Sequence, residues 1–116
     1  MKPPTHVRIG PYRYRVELAD LGDMADPEDE REDNGFGEYA PEVETIRLNK
    51  NQRPDSLADT LLHEVLHAVL GYTGAQEMLK TFNDSAEEFV VSALTGELLN
   101  VLRRNPSLVS FLTSKG

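Results

Sequence analysis

Along this chain the spacing of apolar residues changes about half-way. In the first half they recur at every second position. "HVRIGPYRYRVEL", His6 to Leu18, sets Val7 and Ile9 before a Gly10-Pro11 turn and Tyr12, Tyr14 and Val16 after it. That period of two is the mark of half-buried strands. "GEYAPEVETIRLN", Gly37 to Asn49, predicts a second strand pair, in which Ile46 and Leu48 alternate with Thr45 and Arg47. A strand of that kind has one covered face. Together these segments predict a small antiparallel sheet, with the "TIRLN" strand as an edge open to an extended peptide.

From Arg53 the rhythm becomes helical. "RPDSLADTLLHEVLHAVLGYTG" offers Asp55 or Ser56 as N-cap, a capping-box spacing from Ser56 to Asp59, and Gly71 as C-cap. Between them, Leu57, Leu61, Leu62, Val65, Leu66, Val69 and Leu70 cover most of the circumference. A helix apolar nearly all round is buried against more than one layer. "AQEMLKTF" predicts a short helical link. "NDSAEEFVVSALTGELLNVLRRN" predicts a second long helix whose apolar face holds Val90, Val91, Leu94, Leu98, Val101 and Leu102, ending before Pro106. "PSLVSFLTS" predicts a short terminal helix that packs back. The fold class expected is α+β, as one domain over 1–116, with the sheet packed on two main helices.

Composition narrows the functional classes. The 116 residues carry a net charge of −8 and no cysteine. Without cysteine there is no disulfide, thiolate nucleophile or Cys-based zinc site. A chain this acidic lacks the positive patch that binding a phosphate backbone needs, so no nucleic-acid partner is expected. No apolar run is long enough to span a bilayer, and "MKPPTHVRIG" lacks a signal-peptide core. A cytoplasmic protein with no membrane partner is the expectation. Much of the acidity lies in "DMADPEDEREDNG", Asp23 to Gly35. Such a stretch reads as a solvated, flexible loop, within 19–37. Its acidic residues miss the alternating spacing of an EF-hand.

His63, Glu64 and His67 interrupt the apolar surface of the first long helix. At about 100° per residue, His67 lies about 40° and Glu64 about 100° round from His63. Two imidazoles at that spacing can share one tetrahedral zinc ion, with Glu64 beside the open coordination position. There Glu64 can take a proton from water and pass it to a leaving amine. The plain structural alternative is a buried helix with two hydrogen-bonded histidines. No third histidine follows the motif, and His6 precedes it on a strand. The third ligand is therefore sought in "DSAEEF", as Glu87 or Glu88. Glu87 shares a face with Val91, Leu94 and Leu98, which favours it. Glu88 has the capping-box spacing from Ser85. Asp59, one turn before His63, is a candidate partner for its second ring nitrogen. Tyr39 and Tyr72 are candidates to stabilise an oxyanion.

"DTLLHEVLHAVL" and "EEFVVSALTGELLNVLRRNPSLVSFL" resemble small zinc-metallopeptidase-like proteins of phages and prophages. More distantly the chain is similar to minimal gluzincins, the ImmA/IrrE-like peptidases. The resemblance implies a minimal zincin-like domain with His63 and His67 as Zn2+ ligands, Glu64 as general base, and Glu87 or Glu88 as third ligand. It implies a protein or peptide substrate, in a host-cell cytoplasm if the gene is phage-borne. The rival expectation is a non-catalytic binding module, with a structural zinc site and an acidic loop that engages a basic partner.

Overall fold

A computed structural model describes residues 2–22 and 35–115. The acidic stretch expected to form a loop lies, from 23 to 34, outside the described residues. The strands are β1 (His6–Ile9), β2 (Tyr12–Ala19), β3 (Gly37–Ala40) and β4 (Thr45–Asn49). The helices are α1 (Leu57–Thr73), α2 (Ala75–Lys80), α3 (Ala86–Arg104) and α4 (Pro106–Leu112). The class is α+β.

The sheet is mixed, with order β1-β2-β4-β3. Both predicted hairpins form, β1 with β2 and β3 with β4, each antiparallel. They join through β2 and β4, which run parallel with Arg15 opposite Thr45 and Ala19 opposite Asn49. The expected all-antiparallel sheet is therefore corrected. Local alternation specifies each hairpin, whereas the edges by which hairpins join depend on contacts distant in sequence. β4 is also not an edge. It lies between β2 and β3, and Thr45, Ile46, Leu48 and Asn49 are all buried.

One face of the sheet carries the core. Ile9, Tyr14, Ile46 and Leu48 meet Ala68 of α1, and Val7, Val16, Tyr39, Leu57, Leu61, Val65 and Val69 pack around them. On the opposite face Arg47 bridges three strands, bonding Glu17 of β2 at 3.3 Å and Glu38 of β3 at 3.0 Å. These are the residues directly opposite it in both registers, so an exposed charge pattern reinforces the strand order.

α1 lies between the sheet and α3 and is covered on two sides, as its apolar circumference requires. Its end differs from expectation. Gly71 is inside the helix, and Gly74, at φ +84°, is the C-cap. Gly71 instead gives room to the Tyr39 hydroxyl, which a Cβ there would approach to 3.3 Å. Neither long helix is capped by the side chain of its N-cap serine, Ser56 or Ser85, so both capping boxes are absent.

The base of the acidic stretch is clamped by Asn49, which is fully buried. Its amide nitrogen donates to the carbonyls of Gly22 and Gly35 at 3.1 and 2.8 Å. Its oxygen accepts from the backbone N–H groups of Leu21 and Asn51. Asp20 belongs to the same knot: the Gly22 N–H, then the Asn51 amide, hold its carboxyl below the ordinary value. Gln52 extends the network, donating to the carbonyls of Phe36 and Asn49 and accepting from Thr60 on α1 at 2.7 Å. A buried polar network satisfied in this way fixes α1 against the sheet.

Candidate metal centre

α1 and α3 pack side by side, and His63, His67, Glu87 and Glu88 meet between them. The His63 and His67 Nε2 atoms are 3.2 Å apart. The Glu88 carboxylate spans both, one oxygen 2.9 Å from His63 Nε2 and the other 2.8 Å from His67 Nε2. Glu87 meets the other ring nitrogen of His67, Nδ1, at 2.5 Å. Ser92, one turn after Glu88, donates its hydroxyl to Glu88 at 3.0 Å. His63, His67 and Glu88 offer three ligand atoms within 4.8 Å of one another. Their side chains are 15%, 11% and 19% exposed, so the group is sheltered but reachable.

The two adjacent glutamates thus take different places from those the apolar pattern favoured. That pattern set Glu87 on the core face because it aligns with Val91, Leu94 and Leu98. In the fold, Leu94 and Leu98 are exposed, and the fully covered positions of α3 are Val91 and Thr95. Glu88 lies three and seven residues before these, on the same side of the helix. This rotation of α3 turns Glu88 toward both Nε2 atoms and leaves Glu87 beside the outer nitrogen of His67.

Glu64 is 2% exposed and lines the same cleft as His63 and Glu88, a space of about 380 Å³ bounded also by Phe36, Thr60, Ser92 and Gly96. Glu64 is held from the sheet side. A Cβ on Gly37 would come within 2.7 Å of the Thr60 methyl and 3.4 Å of Glu64 Oε2. The bare glycine lets β3 press against α1 at the level of the glutamate.

The remaining candidates are distributed more widely. Asp59 lines the cleft beside His63. Tyr39 does not line it; its hydroxyl is 3.3 Å from that of Tyr14, and burial, then this bond, raises its pKa above the ordinary phenol value. A neutral Tyr39 hydroxyl belongs to the sheet–α1 packing. Tyr72 stands apart from the group. Nine residues after His63, it points about 180° away, and its ring covers Gly10 and meets Tyr12 edge-on. His6 sits exposed on β1, bonded to Thr5. Ser92 and Gly37 were not anticipated. Ser92 had a usable signal, its four-residue spacing from Glu88. Gly37 had none, because its role depends on the approach of a distant helix.

No match was found to a family model, a curated protein or a solved structure.

Proposed function

We propose that the chain is a zinc-dependent hydrolase, a minimal gluzincin-like peptidase, with His63, His67 and Glu88 as metal ligands and Glu64 as general base. The observation that carries this reading is the facing pair of Nε2 atoms spanned by one carboxylate. Two nitrogens bound to one tetrahedral zinc at 2.0–2.1 Å lie about 3.3–3.4 Å apart, and these lie 3.2 Å apart. The Glu88 oxygens need to withdraw by only about 0.5 Å to reach the corresponding spacing. His67 supports the reading further. A neutral imidazole has one N–H, yet both of its nitrogens face carboxylates. A cation at Nε2 resolves this, leaving Nδ1–H to donate to Glu87. That bond sets the tautomer and the ring orientation, as carboxylates behind metal-binding histidines do.

Zinc bound here would lower the pKa of a coordinated water to about 7. Glu64 takes the proton from the attacking water and returns it to the leaving amine. Ser92 holds Glu88 in place, and Phe36 and Gly96 line the cleft beside it. Three protein ligands favour catalysis over a structural role, because structural zinc sites close with four.

Metal content by mass spectrometry tests the ligand set. About one zinc per chain is expected in the wild type, with loss in His63→Ala and Glu88→Ala. Glu87→Ala keeps the ligands but weakens binding roughly 10- to 100-fold. Unchanged zinc in Glu88→Ala would sink the assignment. Glu64→Gln separates catalysis from binding: zinc is retained, while cleavage of a quenched-fluorescent peptide library falls to background. Retained cleavage would remove Glu64 from its role.

A further inference from the structure

The rotation of α3 that turns Glu88 to the histidines leaves an apolar stripe uncovered. Leu94, Leu98 and Val101 are 51%, 38% and 42% exposed. At spacings of four and three they fall within about 60° of one another on the helix. α4 packs against the end of α3 and adds exposed Leu108, Phe111 and Leu112. On α3 itself, the three large apolar side chains along one face mark an interaction surface.

The charges beside the stripe identify its occupant. Glu97 and Arg104 are exposed and one heptad apart, so they lie along the same edge of the stripe. We infer that the stripe is the seam of a homodimer in which two copies of α3 pack antiparallel. A two-fold axis near Asn100 sets Leu98 against Val101 of the second copy. The same axis brings Glu97 toward Arg104 of the second copy, and the symmetry makes that ion pair twice. A self-complementary patch needs both signs on one edge, on either side of the axis, and α3 has them. Ser92 and Gly96, which line the cleft, lie about 150–170° from the centre of the stripe, so pairing leaves the candidate metal centre open. The dimer is independent of the chemistry proposed for that centre.

Sedimentation equilibrium of the full chain over a concentration series tests the inference. The expected mass tends to twice 13.0 kDa. Leu98→Lys, at a position exposed in the single copy, keeps the helical circular-dichroism spectrum and sediments as a monomer. Glu97→Arg weakens the dimer on the order of tenfold, and adding Arg104→Glu restores it. A monomeric wild type overturns the proposal, as does a dimer indifferent to Leu98→Lys. Failure of the double charge swap to restore association overturns the antiparallel arrangement.

Discussion

Single atoms decide the candidate centre. The choice between two neighbouring glutamates comes from about 100° of helix rotation. The sequence carried His63, Glu64 and His67 plainly, since three polar residues in an apolar helix need a reason. It could not orient α3, because the apolar face of that helix is wider than the face its own molecule covers. Gly37 shows how fine the fit is. Gly37→Ala pushes a methyl group into Thr60 and the Arg47 carbonyl. Overpacking of this kind costs about 1–3 kcal/mol. The expected result is a lower urea midpoint with an unchanged slope. An unaffected midpoint would mean that β3 can move away from α1 freely.

At the scale of elements, the helices and hairpins were legible and their junctions were not. α3 stops before Pro106 as predicted, because a proline restricts the residue before it wherever the helix packs. α1 runs through Gly71 to Gly74 because packing against Tyr39 outweighs the local cost of a helical glycine. The parallel seam between β2 and β4 had no local signal at all. Asn49 holds that seam where the two ends of the acidic stretch meet. Asn49→Ala removes four hydrogen bonds, two to carbonyls and two from backbone N–H groups. The expected loss is about 2–4 kcal/mol, read as a shift in the denaturant midpoint. A shift well below this would show that water replaces the amide at no cost.

For the whole molecule, the two halves divide the labour. Residues up to Asn49 supply the sheet, and the four side chains described around the candidate centre lie between His63 and Glu88. The exposed stripe on α3 belongs to neither the core nor the cleft, which is why a sequence reading assigned it to the core: both kinds of position are apolar at helical spacing. The parallel seam also has a kinetic consequence. Pairing Arg15 with Thr45 closes a long loop before any contact repays the lost entropy, and such closures slow folding. The α1–α3 contacts close somewhat shorter spans, 20 residues from His67 to Glu87. The same entropy grows only slowly with length. By the chain-entropy rule, doubling the number of residues that separate Gly22 from Gly35 would add only about 0.6 kcal/mol to the cost of bringing their two carbonyls together at Asn49.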